Sequence, residues 1–310
     1  MAGADLPRLK VVPWNGHKAA TSLTFDDSDP SHLDVAVPEL TQRGMRGTFF
    51  LIANRTDRKD EWRKILVNGN EIGNHTLDHK HADELTRKDE EAQVVGAHNV
   101  LQKEFGVAVN SFAYPYTEIT PGLKAWVGKT HLLARGGYGK SFVLTPSMEP
   151  DWLDIPSRGT QSKLPFSTYK SWIAENVKKG GWLVWRIHGL EGTPWGYEPI
   201  SKKIFQRILD EIRSKDIWVG TFSEVGAYYR AQKIFEKAVI QKSGQGEIWS
   251  WEIPDHFPSH LNLKVQLSKG SDKARVEIRQ SDQIVEPDAA GFYTIDFGQK
   301  KIALEYSPDK

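Results

Sequence analysis

From about residue 20 to 225 of this 310-residue chain, short apolar runs alternate with amphipathic stretches, and this alternation narrows the fold more than any other feature. Strand-like runs fall at 22–26, 47–53, 71–75, 111–116, 132–135, 152–155, 183–188 and 218–222. Helical periodicity is clearest over 83–105, where Leu85, Ala92, Val95, Val100, Leu101 and Phe105 form one apolar side. It recurs over 199–215, with Ile204, Ile208, Leu209 and Ile212 in register. Seven or eight such strands predict an α/β fold of the (β/α) barrel type, with a doubly wound sheet as the alternative that strand counting leaves open. After about residue 237 the period changes to two. Segments 247–253, 261–267, 274–279, 292–297 and 301–306 read as strands between Gly, Ser, Asp and Pro turns. The division predicted is a barrel over 1–237 and a small all-β, sandwich-like accessory domain over 238–310, joined by residues 241–246 of linker composition.

Composition removes several classes of function. A content of 39% hydrophobic and 26% charged residues is that of a globular chain. The balance of 41 Lys+Arg against 40 Asp+Glu leaves no basic excess for nucleic-acid binding. The longest apolar run, residues 49–53, is far below the roughly 20 residues of a membrane span. No basic and apolar leader opens the sequence, so no signal peptide is expected. Without cysteine, a metal site must be built from His, Asp and Glu. Eleven tryptophans suit either core packing or flat platforms for sugar rings.

Four constellations can carry chemistry. Thr24-Phe25-Asp26-Asp27 closes the first predicted strand, and two adjacent carboxylates can serve one site only where a strand ends and the chain turns. His75-Thr76-Leu77-Asp78-His79 spaces two imidazoles by four, within reach of one ion, although His81 offers a competing pair with His79. One carboxylate of Asp26 or Asp27 with the two histidines makes three ligands and leaves a position for water. His188 ends an apolar run before Gly189, where it could donate a proton to a leaving group. Phe112-Ala113-Tyr114-Pro115-Tyr116 combines a strand-stopping proline with aromatic groove walls.

In this order the four resemble the NodB-homology polysaccharide deacetylases, carbohydrate esterase family four, over about residues 18–230. Thr24 to Asp27 match the family's TFDD element, and His75 to His79 its H(S/T)xxH element. The resemblance implies a distorted barrel with an open groove, and Asp27, His75 and His79 as ligands of a divalent metal, usually zinc, with cobalt or nickel as alternatives. It further implies Asp26 as general base, His188 as general acid, and the Tyr116 N–H as oxyanion donor. Tyr114, Pro115, Trp152 and Trp195 are the expected groove residues. Three positions depart from the pattern. Ala113 stands where an arginine usually pairs with the base, Thr117 where glycine is usual, and Gly189 where aspartate is common. The fourth motif is only partly visible in Asp151-Trp152, with Met148 at its first position. Arg135 is the predicted replacement for the missing arginine, with Arg158 second.

The activity implied is removal of N-acetyl groups from a glycan containing N-acetylglucosamine, peptidoglycan or chitin-like, by a periplasmic or secreted protein. The alternatives are an acetyl xylan esterase and a catalytically decayed glycan-binding homologue; the C-terminal domain reads first as a stabilising or spacing module, and Trp249, Trp251 and Phe257 suit either a sugar platform or docking of the module on the barrel.

Overall fold

The structure is a computed structural model that describes residues 7–137, 139, 141–193, 196–244, 246–268 and 274–308. The chain divides into two compact units, His17–Gly226 and a smaller one made of Met1–Gly16 with Ala227–Lys310.

The larger unit is a curled α/β sheet wrapped by helices. Its strand order is Leu133–Arg135, Ser111–Ala113, Glu71–Asn74, Thr48–Leu51, Ala19–Phe25, Trp182–Ile187, Val143–Leu144. Ile217–Val219 adds beside the start of Ala19–Phe25, and Arg158–Gly159 beside Trp182–Ile187. All pairs are parallel except that of Val143–Leu144, as expected where a helix returns the chain between strands. Every residue of Ala19–Phe25 is buried, which suits a central strand covered on both faces. The stretch 155–160 links the edge strand Leu133–Arg135 to Trp182–Ile187. The Ile155 N–H donates to the Ala134 carbonyl, and the Thr160 N–H donates to that of Arg186. Seven of the eight predicted strands are present. The segment 152–155 contributes only a bridge between Ile155 and Arg135, and two strands of two residues each, too short to show a period, escape prediction.

The predicted helix over 83–105 runs from Arg87 to Phe105, with a wider turn at Ala92–Gly96. Thr86 and Asp89 form a capping box at its start, and Gly106 at φ 66 ends it. Lys202–Arg213 is capped by the Ser201 side chain and buries Phe205, Ile208, Leu209 and Ile212. Between helices and sheet, Phe25 stacks on Phe49 with centroids 4.8 Å apart, and the Trp62 ring tilts against Phe49. Each such buried side chain contributes about 1.5–3 kcal/mol.

The smaller unit is all-β apart from the end of helix Phe222–Phe235 and short turns. One sheet is ordered Leu9–Val11, Asn262–Leu267, Tyr293–Asp296. The other is ordered Val239–Ser243, Gly246–Ser250, Lys301–Pro308, Ala274–Gln280, Gln283–Ile284. Leu263, Val265, Ile278, Ile295, Ile302 and Leu304 fill its core. Two features differ from the sequence reading. Of the stretch 241–246, read as a linker, residues 241–244 and 246 take part in a hairpin in which Val239–Ser243 pairs with Gly246–Ser250, and Gly244 at φ 59 supplies a turn and not slack. Residues 7–16, read with the barrel, group with the C-terminal strands, since Leu9–Val11 pairs with Val265–Leu267 across more than 250 residues.

Candidate active site

The C-terminal ends of the parallel strands deliver the chemistry-bearing residues to one place. Asp26 follows Ala19–Phe25, His75 follows Glu71–Asn74, Tyr114 follows Ser111–Ala113, and His188 follows Trp182–Ile187. Arg135 is the last residue of its strand. A cavity of about 860 Å³ opens there, lined by Asp26, Asp27, His75, His79, Tyr114, Tyr116 and His188 among others. The backbone bends sharply around it. Asp27, Ser28, Thr76, His79, Tyr116 and Thr117 all take φ between 54 and 76°. A non-glycine residue in this region costs about 1–2 kcal/mol, and such residues gather where packing overrides preference, functional sites above all.

Asp26 is 1% exposed. Arg135 Nη2 donates to its Oδ2 at 2.5 Å, and Nη1 donates to Thr24 Oγ1 at 2.8 Å. The Asp26 Oδ1 atom is buried without a hydrogen-bond partner, and His188 Nε2 stands 3.7 Å from Oδ2. Arg135 thus stands against the Asp26 carboxylate. The strand register explains how: Arg135 is the direct partner of Ala113 on the neighbouring strand, so the guanidinium enters at the level where the family's arginine would begin. Arg158, the second choice, is committed to Glu175 at 2.6 Å. Burial pushes the Asp26 carboxyl up, but Arg135, His75 and His188 outweigh it and hold the group below its ordinary value.

His75 Nε2 and His79 Nε2 lie 3.4 and 3.3 Å from Asp27 Oδ1, itself without a hydrogen bond. The His75 Nδ1–H donates to the Ala113 carbonyl at 2.8 Å, which fixes the tautomer and leaves the Nε2 lone pair facing Asp27. Two imidazole nitrogens and a buried orphan carboxylate oxygen that converge in this way fit a divalent cation. Burial pushes His79 down to about 4, so it is neutral and able to ligate at physiological pH. A second group, His81 with Asp83 and Glu118, differs because His81 Nδ1 is already hydrogen bonded to Glu118 Oε1 at 3.0 Å.

His188 is held from its backbone. The His32 Nε2–H donates to the His188 carbonyl at 2.7 Å, while His188 Nδ1 is buried with no partner. Burial lowers the His188 pKa against the pull of Asp26 and Asp27. Gly189 and Gly196 pack backbone to backbone: a Cβ on Gly189 would stand 2.7 Å from Thr193 Cγ2 and 2.8 Å from Gly196 Cα. A side chain at position 189 would have to displace these neighbours.

The groove residues fare unevenly. Tyr114 lines the cavity with its hydroxyl donating to the Leu153 carbonyl, whereas Pro115 is buried and Trp152 is not among the lining residues. Trp152 instead gives its carbonyl to the Ala134 N–H in a turn beside the sheet edge. Trp195 lies outside the described residues. Sequence reasoning missed Trp62, Arg55, Asp29 and Tyr197, which also line the cavity, and His32 beneath it. Asp29 had a readable signal, since its Oδ1 accepts the Ser31 N–H in a local Asp-x-Ser turn. Trp62 lies in the helix Lys59–Val67 and His32 in the helical turn His32–Ala36, where each reads as an ordinary buried residue.

The family model for polysaccharide deacetylase matches residues 15–132, which include Asp26, Asp27, His75, His79 and Tyr116. Over these residues the chain is recognisably similar to the polysaccharide deacetylase family. The chain is 33% identical over 101 residues to a chitooligosaccharide deacetylase of Sinorhizobium fredii, covering 32% of the chain and 47% of that protein. It is 28% identical over 123 residues to a peptidoglycan-N-acetylglucosamine deacetylase of Bacillus cereus, covering 39% and 44%. A gellan lyase of a Bacillus species is 23% identical over 333 residues, which cover 97% of the chain but 13% of that protein. The chain therefore spans less than half the length of these curated relatives. A solved polysaccharide deacetylase structure from Mycobacterium smegmatis shares the fold, with a TM-score of 0.56 at 17% identity over 74% of this chain and 96% of that one. Among the described residues no helix is long and apolar enough to cross a membrane.

Proposed function

We propose that this chain is a metal-dependent hydrolase that removes N-acetyl groups from a glycan containing N-acetylglucosamine, of the peptidoglycan or chitin type. The observation that carries the reading is Asp26, a buried carboxylate with one oxygen held by Arg135 and the other unpartnered, beside the converging Asp27, His75 and His79. The peptidoglycan and chitooligosaccharide deacetylases among its relatives support the substrate class. Such substrates lie outside the cytoplasm, and an exported protein follows.

Asp27, His75 and His79 would hold the ion. Bound there, a divalent cation supplies Lewis acidity toward the acetamide carbonyl and lowers the pKa of a water molecule. Asp26 Oδ1 takes a proton from the attacking water, while Arg135 keeps the carboxylate ionised and fixes its orientation. The Tyr116 N–H donates to the acetyl oxygen as charge gathers on it. His188 Nε2, 3.7 Å from Asp26 Oδ2, delivers a proton to the departing amine, which leaves poorly without one.

Acetate release from chitooligosaccharides and cell-wall sacculi tests this, with acetylated xylan in parallel to separate amide from ester cleavage. Exhaustive chelation should abolish release and added zinc restore it, and Asp26→Asn should lower the rate about 10³-fold. Full activity after chelation, or in Asp26→Asn, removes the reading.

A further inference from the structure

Tyr116 and Thr117 are consecutive non-glycine residues in the left-handed region, at φ 54 and 61°. The second is β-branched and stands where the resemblance expects glycine, so the local sequence opposes the shape that the loop takes. Something outside the loop must hold it. On one side the His79 ring meets Tyr116 edge-on, with centroids 4.6 Å apart. On another, the His81 ring lies flat on Tyr116 at 3.6 Å and 11°. His81 is in turn fixed by Glu118, from the far side of the same loop: Glu118 Oε1 pairs with His81 Nδ1 at 3.0 Å, and Oε2 accepts the Ala82 N–H at 2.7 Å. Tyr116 itself is 49% exposed, so these contacts and not deep burial determine where it stands.

We infer that His81 and Glu118 form a clamp between the 79–84 and 115–118 segments that holds Tyr116 in its strained conformation beside the metal ligands. They are positioning residues for the hydrolysis, and the inference rests on the reading above in that respect alone. Neither belongs to the proposed ligand set or carries a proton in the proposed steps. The clamp ties the strand end that bears His75 and His79 to the strand end that bears Tyr116. Its loss should therefore leave cation binding intact while misplacing the Tyr116 N–H, a group needed most in the transition state.

The test compares His81→Ala, Glu118→Ala and His81→Phe in the full chain. For acetate release, both alanine variants should lose about 10-fold or more in kcat with KM and zinc stoichiometry unchanged, and His81→Phe, which keeps the stacking ring, should recover most of the loss. Wild-type kcat in His81→Ala, or a loss matched by lost zinc, overturns the positioning role. Chymotryptic cleavage after Tyr116 reads the clamp without activity. It should quicken in both alanine variants and stay at the wild-type rate in His81→Phe. Uniform cleavage in all four proteins overturns the clamp, whereas altered cleavage in a protein that releases no acetate from any substrate keeps the clamp and rejects the function.

Discussion

Arg135 reaches Asp26 from one strand further along the sheet than the family's arginine, at the same level of the register, and Ala113 leaves only a methyl group where that arginine would stand. Removing the guanidinium by Arg135→Ala leaves burial, the largest influence on Asp26, opposed only by the two histidines. The carboxyl should then move above its ordinary value of 3.8. In the wild type its depressed pKa adds stability that is present above 3.8 and lost as pH falls through the folded value. In the variant the sign reverses, and this group's contribution falls as pH rises from 3.8 toward the new folded value. Urea unfolding at several pH values should show that change of slope, together with a loss of about 3–5 kcal/mol at neutral pH from a buried charge left without its partner. The ascending limb of the pH–rate profile should move up with the carboxyl. Restoring a guanidinium by Ala113→Arg in the same background should recover part of the rate. An unmoved limb in Arg135→Ala would remove Arg135 from the role of keeping Asp26 ionised.

At the scale of elements, the loop after Ser111–Ala113 depends on the one after Leu133–Arg135. A Cβ added at Gly137 would stand 2.4 Å from Thr117 Cγ2 and 2.6 Å from Thr117 Cβ, the latter fixed to the backbone. Gly137→Ala should therefore cost about 1–3 kcal/mol by overpacking and lower kcat by displacing Tyr116. Thr117→Gly, which removes the obstructing side chain and suits a positive φ, should rescue both in the double variant, as thermal melts and acetate assays would show. If the two changes simply add, the loops are independent. This coupling also marks the limit of what could be read in advance. Asp26, Asp27, His75 and His79 lie next to strand ends in short contiguous runs, so the sequence displayed them together. The seven strands of regular length were legible for the same reason: apolar runs bounded by turns carry a period. Thr117 against Gly137, Arg135 beside Ala113 and His32 under His188 are joined by register and packing across 20 to 156 residues, and local patterning does not encode such pairs. Arg135 was singled out from the sequence only because a missing arginine demanded a substitute.

For the molecule as a whole, the change of period near residue 237 located the β-strands but not the limits of the unit they form. A strand of three residues, Leu9–Val11, has no neighbour in sequence to declare its partner, yet it completes the sheet of Asn262–Leu267 and Tyr293–Asp296. Trp249 and Trp251, which the sequence allowed as a sugar platform, are each 5% exposed and pack on Phe235 at 5.6 and 5.2 Å, while Trp251 also stacks on Phe297. They are core residues of the smaller unit. The Tyr228 hydroxyl donates to the Val12 carbonyl, which ties the end of helix Phe222–Phe235 to the N-terminal segment within that unit. Cutting the chain after residue 237 would not detach a self-contained module. It would leave Leu9, Val11, Tyr228 and Phe235, all buried in the intact protein, without the strands and tryptophans that cover them. Four such side chains at about 1.5–3 kcal/mol each are a large part of a unit of this size. Deletion of 238–310 should therefore cost soluble yield, raise binding of a hydrophobic dye and lower the melting temperature. Adding Leu9→Ser, Val11→Ser and Phe235→Ser to the truncated chain should recover soluble yield by making the uncovered surface polar. A truncated protein with wild-type yield and melting temperature would show that the N-terminal strand and the end of the helix do not need the C-terminal strands, and that the unit boundary lies where the sequence pattern changes.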